Sequence, residues 1–392
     1  MERTFKPPGG LTRALVEWRA GQIADPVARL RFLRHSVGDR AIFKPADLWS
    51  RIPKRTYAVF GAALFLIPVV TIGDAGRFFR RGGITQAHST ARAVTDATKP
   101  AVWLVENGER YEVWSNGLRI ERRTEIASEP RAYLAFPAGK EDHGSPEPRT
   151  QPAGIVYHTT ESHQAPFEES QRNRLTLIGE SLLSFVREQK AYNYVVDRFG
   201  RVFRIVKETD VAYHAGHSIW GDDRASYVNL NDSFLGVAVE GQSQPAEGAS
   251  PANPAQIHAL RILTEMLRAR YHIPPGNCIT HAQVSVSPVT RLVSYHTDWA
   301  AHFPYAELGL PDNYSIPLPS MARFGFGYDP GLQKLSGGSF WQGLLHTEER
   351  VRQDASAHGT TIPRYRETLL ERYRQLLNQV KAKSQTSQEK AG

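Results

Sequence analysis

The chain has 392 residues, 41% of them hydrophobic and 22% charged, which excludes a disordered chain of low hydrophobicity and high charge. Its length exceeds one ordinary domain, so one sizeable domain with appendages is expected. A single cysteine, Cys278, excludes an intramolecular disulfide and leaves the compartment open, since a domain of this size needs none. The net charge of +8 is uneven, with 12 Lys/Arg against 5 Asp/Glu in residues 1–56 and near balance in the rest. Such an arm suits an anionic membrane face or nucleic acid. Charge alone speaks for nucleic acid, and no nucleic-acid partner is expected.

Residues 1–55 form this basic N-terminal arm, with short helices expected over 11–20 and 27–33. Thr56 to Gly73 is uncharged for 18 residues, between Lys54-Arg55 and Asp74. That is the lower edge of transmembrane length, and Pro68 is tolerated better in a membrane helix than in a soluble one. Residues 56–73 therefore read as a membrane anchor; the alternative is a buried core helix. A cleaved signal peptide is disfavoured because the apolar run starts far from Met1. Basic residues flank both ends, so the positive-inside rule favours a cytoplasmic N-terminus only slightly.

Residues 74–98 read as a polar linker. Two Asn-Gly pairs, Asn107-Gly108 and Asn116-Gly117, separate alternating apolar runs and mark hairpins. Residues 99–136 are accordingly expected to be a small β-unit, followed by a Pro/Gly-rich linker over 137–152.

Residues 153–310 carry the clearest pattern. A strand over 154–158 is followed by a helix from about 175 to 189, then a strand–turn–strand over 192–204. A further strand is expected at 234–240, then an amphipathic helix over 254–271 opened by Asn253-Pro254, and a strand at 278–281. This is an α/β fold with a mixed central β-sheet flanked by helices. Cys278 falls in the last strand as an apolar residue, with no base motif beside it. Residues 311–383 turn from Gly/Pro-rich sequence to helix, with an apolar stripe at Tyr365, Leu369, Tyr373, Leu376 and Val380 for packing on the body or on another copy. A disordered tail is expected over 384–392.

His158 ends the 154–158 strand, where a rigid strand fixes an imidazole beside an open loop; a lone histidine there is more often structural than a ligand. His281 and Asp298 complete a set of two imidazoles and one carboxylate. On a tetrahedral zinc ion that set leaves one open position, the pattern of a catalytic site, where water can be activated near neutral pH. Spacing does not establish it, since the two later residues lie 17 apart across a loop.

Several motifs in order make residues 153–305 resemble the zinc-dependent N-acetylmuramoyl-L-alanine amidases, the type-2 amidase and peptidoglycan recognition protein family. These are IVYHTTES, YNYVVDRFGRVFR, VAYHAGHSIW, NDSFLGVAVEG, THAQVSVSP and the later HTD. The resemblance implies a zinc amidase domain over 153–310 holding one Zn2+ ion on His158, His281 and Asp298. The implied reaction is hydrolysis, by metal-activated water, of the amide between the muramoyl lactyl group and L-alanine. Peptidoglycan or a muropeptide would be the partner, and the domain would lie in the periplasm, anchored to the bacterial inner membrane through 56–73.

By position, Tyr192 falls on a tyrosine beside the metal, His214 on a groove-lining histidine and Asn231 on the asparagine that opens the next strand. Three departures stand out. Ala238 occupies the place of the family's catalytic glutamate, leaving Glu240 on the same strand face as candidate base with Tyr192 as its rival. His296 replaces a lysine, as candidate donor to the oxyanion. The 281–298 loop is long and ends in Trp299-Ala300. The departures motivate the alternative of a non-catalytic or weakly catalytic peptidoglycan-recognition module.

Overall fold

The structure is a computed structural model that describes residues 101–138, 145–244 and 251–389. The basic arm, the 56–73 stretch and the 74–98 linker lie outside the described residues. Among the described residues no helix is long and apolar enough to cross a membrane.

An eight-stranded mixed sheet forms the centre. Its strands are β1 (Leu104–Asn107), β2 (Tyr111–Trp114), β3 (Arg119–Glu121), β6 (Gly154–Thr159), β7 (Tyr194–Val196), β8 (Val202–Arg204), β11 (Phe234–Val239) and β12 (Cys278–Thr280), in the order β1-β2-β3-β8-β7-β11-β6-β12. A second sheet holds β4 (Tyr133–Pro137), β5 (Glu147–Arg149), β9 (Ile219–Gly221) and β10 (Ala225–Val228), in the order β5-β4-β10-β9. Strands β7, β11, β6 and β12 run parallel, and every residue of β6 and β11 is buried. Their near-continuous apolar runs, GIVY in β6 and FLGVAV in β11, suit strands covered on both faces.

Helix α1 (Arg172–Glu188) buries Leu175, Leu182, Leu183 and Val186. Helix α2 (Pro254–Tyr271) starts on a capping box, the Asn253 side chain accepting from the Gln256 amide and the Gln256 side chain from that of Asn253. The Gln256 amide group also donates to the Glu240 carbonyl at 2.9 Å, which ties α2 to the end of β11.

The 99–136 segment, read above as a small β-unit, is divided between the two sheets: β4 joins the second, and β1 to β3 join the central sheet, with β3 pairing in parallel with β8. A buried ion-pair cluster backs this join. Arg204 on β8 donates to both oxygens of Glu112 on β2, at 2.8 and 2.7 Å, and to Glu208 at 3.1 Å.

The C-terminal segment also joins the main core. Helices α3 (Gly338–Ala357) and α4 (Ile362–Glu389) contribute Phe340, Leu344, Leu370, Tyr373 and Leu376, with the Tyr373 ring 5.1 Å from that of Phe326. The apolar stripe thus packs on the body. Helix α4 runs on to Glu389 through most of the stretch expected to be a disordered tail, because extending a formed helix costs far less than nucleating one.

Candidate metal centre

Strands β6 and β12 end side by side and bring two histidines to the same end of the sheet. His158 is the fifth residue of β6, while His281 follows β12 as the first residue of a one-turn helix, His281–Val284. The loop that returns Asp298 is tied down along its length. The Ser294 hydroxyl donates to the Ala282 carbonyl, the Ser285 hydroxyl and His296 exchange two bonds, and the Ala282 amide donates to the Asp298 carbonyl. The long 281–298 connection is therefore a fixed arm.

His158, His281 and Asp298 are all buried, and their ligand atoms lie within 4.8 Å of one another. The Nδ1 of His158 is 3.1 Å from Asp298 Oδ2, and the Nδ1 of His281 is 2.9 Å from Asp298 Oδ1. Each ring turns its other nitrogen outward to an acceptor. His281 Nε2 faces the Ala215 carbonyl at 3.4 Å, and His158 Nε2 faces His214 Nδ1 at 3.1 Å. His214 in turn points Nε2 at the Phe234 carbonyl, 3.3 Å away. With Nε2–H on all three rings, every outer N–H has an acceptor and both inner Nδ1 lone pairs converge on the carboxylate. That donor set fits a divalent metal: neutral imidazoles whose far N–H groups are held, and an ionised carboxylate between them.

The His158 and His214 rings are held neutral, and the Asp298 carboxylate is held ionised by charge and N–H groups on the facing rings, which a bound cation would replace. Burial, then repulsion from His281, pulls the His158 imidazole down to about 4. Burial likewise holds His214 well below the ordinary histidine range. Burial would raise the Asp298 carboxyl, but the facing His281 and His158 rings outweigh it and hold the group well below the usual carboxylate range.

The other expected site residues divide into two groups. His214, Tyr192 and His296 adjoin the cluster. His214 sits on Gly236, where a Cβ would come within 2.5 Å of its ring, so that glycine makes room for the imidazole. The Tyr192 ring centre is 5.1 Å from that of His158, and its backbone is left-handed at φ 63°, a strained conformation for a tyrosine. Burial, with Asp298 and Glu161 adding to it, raises the Tyr192 phenol well above its ordinary value, so the hydroxyl stays protonated. His296 stacks on His281 with ring centres 4.7 Å apart, and burial and the His281 charge lower its pKa. At neutral pH it offers a neutral N–H, where an unperturbed imidazole would be partly charged.

Asn231 and Glu240 contact the cluster less directly. The Asn231 side-chain oxygen accepts the His214 and Ala215 amides at 2.8 and 2.7 Å, so it shapes the His-Ala-Gly turn. Glu240 is buried, and its carboxylate accepts the Arg198 amide at 3.0 Å, on the hairpin turn between β7 and β8. No hydrogen bond joins it to His158, His281 or Asp298 among the described residues. Ala238, which pairs with His158 across β11 and β6, brings no acid there. Cys278 is fully buried and its thiol is pushed up to about 12, so it is inert packing.

Fold and cluster together define an α/β domain with a buried His-His-Asp group, able to hold a metal ion, at one end of its parallel strands. Residues 148–298 match the family described as N-acetylmuramoyl-L-alanine amidase (Amidase_2), so this segment is similar to the type-2 amidases. It is 37% identical over 89 residues to the N-acetylmuramoyl-L-alanine amidase AmiD of Escherichia coli strain K12, covering 22% of this chain and 31% of that protein. The chain thus spans about a third of the length of that relative. Solved structures to which the chain is similar include AmiD of E. coli in complex with anhydro-N-acetylmuramic acid-L-Ala-D-gamma-Glu-L-Lys, at 20% identity and a TM-score of 0.32, with 54% of this chain and 91% of that one covered. AmpDh3 of Pseudomonas aeruginosa, in complex with an anhydromuramic pentapeptide, is 19% identical with a TM-score of 0.31, over 54% and 88% of the two chains.

Proposed function

We propose that this chain is a zinc-dependent N-acetylmuramoyl-L-alanine amidase that cleaves the amide between the muramoyl lactyl group and L-alanine in peptidoglycan or muropeptides. The observation that carries the reading is the buried His158–His281–Asp298 cluster, in which each histidine's outer nitrogen faces an acceptor. Zinc in such a site supplies a Lewis acid for the carbonyl and makes water nucleophilic near neutral pH. The chain's own groups then divide the remaining work. Tyr192, protonated and beside His158, donates from its hydroxyl to charge developing on the substrate, while the neutral His296 N–H offers a second donor. Asn231 and Gly236 hold His214, and His214 holds His158.

A peptidoglycan-recognition module with weak turnover is the second reading. It is favoured by Ala238 at the position paired with His158, where no carboxylate is available. Release of stem peptides from purified cell wall separates the two: the full chain with zinc should release them, and a chelator should stop the release. Zinc bound at one ion per chain with no release would leave the recognition module.

For location, we propose that 56–73 anchors the chain in the bacterial inner membrane and that the amidase domain faces the periplasm. The uncharged run between Lys54-Arg55 and Asp74 supports it. The full chain should sediment with membranes and a chain lacking 1–74 should not; a soluble full chain would rule the anchor out.

A further inference from the structure

A buried arginine outside the family-matching segment reaches the support of the metal cluster. Arg131 precedes β4 and is 2% exposed. Its amide donates to the Thr209 carbonyl at 2.7 Å, beside the bridge between Pro130 and Asp210. Each hydrogen bond of its guanidinium ends on a main-chain carbonyl. Nε donates to Glu208 at 2.9 Å, Nη2 to Asp210 at 2.9 Å, and Nη1 to Asp232 at 2.7 Å and Phe234 at 3.1 Å, with Asn231 at 3.5 Å. These carbonyls stand at the two ends of residues 208–234, the stretch that carries His214 between them.

The Phe234 carbonyl is the shared point. It accepts from Arg131 Nη1 and also faces His214 Nε2, and a carbonyl has lone pairs for both. Asn231, whose side chain fixes the His214 and Ala215 amides, is held by the same guanidinium through its own carbonyl. A continuous path thus runs from His158 through His214 and the Phe234 carbonyl to Arg131. A planar fork of five N–H donors can bridge both ends of the stretch at once, whereas a lysine ammonium is a point on a flexible stem.

We infer that Arg131 is a positioning residue for the metal centre, clamping 208–210 to 231–234 so that His214 stays in place to accept the outer N–H of His158. This rests on the zinc reading above. It also means that the site draws on residues before 148, where the family match begins.

The test compares the full-length Arg131→Lys and Ile120→Ala variants. Ile120 is fully buried on β3, in the same N-terminal segment, and pairs with Val202 on β8, so its truncation serves as a purely structural control. Two quantities are measured: the zinc dissociation constant by chelator competition, and the slowly exchanging His214 ring N–H in metal-free protein by nitrogen-15 NMR. Both variants should melt earlier. Arg131→Lys alone should weaken zinc binding, by about tenfold, as outer partners of a metal ligand do, and should lose the His214 N–H signal. Wild-type zinc affinity with an intact His214 signal in Arg131→Lys would overturn the inference, as would equal zinc loss in both variants.

If Arg131→Lys does not fold, linkage gives a measurement on the wild type. A clamp that favours the metal-ready site must itself be tightened by zinc, so zinc should slow amide exchange at Arg131 and across 208–234. Unchanged exchange there would overturn the inference. A wild type that binds no zinc removes the zinc reading, while the His214 signal still decides what Arg131 does.

Discussion

We expect the His158→Ala variant to purify folded and zinc-free, with amidase activity at background. His158 Nδ1 is one of the three converging ligand atoms, and its loss leaves one imidazole and one carboxylate, too few for a stable zinc site. Because an outer partner of a ligand is already worth 10- to 100-fold in metal affinity, removing a ligand should cost more than about 100-fold. The fold should survive. Truncation strands His214 Nδ1, a buried group whose lost hydrogen bond costs about 1–3 kcal/mol, against a stability of roughly 5–15 kcal/mol for a domain. Metal analysis and a melting curve on the same sample check both halves. One zinc per chain in a folded His158→Ala protein would sink the ligand assignment, and the proposed chemistry with it.

The second large effect concerns the proton. Tyr192→Phe should keep zinc and lower kcat by about 10²- to 10³-fold, the usual loss when one donor to developing charge is removed. Glu240→Gln should leave kcat within about tenfold, whereas removal of a true general base costs up to about 10⁴-fold. The amide of glutamine can still accept the Arg198 N–H that the carboxylate accepts now.

The same substitution carries a pH signature. Burial raises the Glu240 pKa in the folded protein above its ordinary value of 4.5. As pH rises through 4.5 the unfolded chain gives up its proton first, so the folded state holds the extra proton and loses stability until Glu240 itself ionises. Glu240→Gln should therefore melt later than wild type at neutral pH and nearly together with it below 4.5. If Glu240→Gln loses activity with zinc in place and Tyr192→Phe does not, the two roles are reversed.

The three residues of the cluster were legible in the sequence because each sits at a chain feature with its own pattern. His158 closes an apolar strand, His281 follows another, and Asp298 ends a motif segment. Glu240 shows where strand periodicity stops being enough. Alternation put it on the face of Ala238, but β11 ends at Val239, two residues along a strand is about 6.6 Å, and the Arg198 amide takes its carboxylate. The pairing of β3 with β8 left no trace in the local pattern, since a parallel contact between residues 120 and 202 is set by tertiary packing. Arg131 was illegible for a different reason. Its acceptors are main-chain carbonyls, which every residue possesses, so nothing in the side-chain sequence marks them.

The β3–β8 pairing also bears on where this protein can be cut. A fragment starting at residue 148, where the family match begins, would lose β1 to β3 and with them Glu112, one of the carboxylates that neutralise buried Arg204. It would present β8 as a bare rim of unpaired amides and carbonyls, with an undercompensated cation behind it, the kind of surface that recruits other copies into aggregates. The portable unit is therefore longer than the family segment, and the additional strands serve as its closing seam.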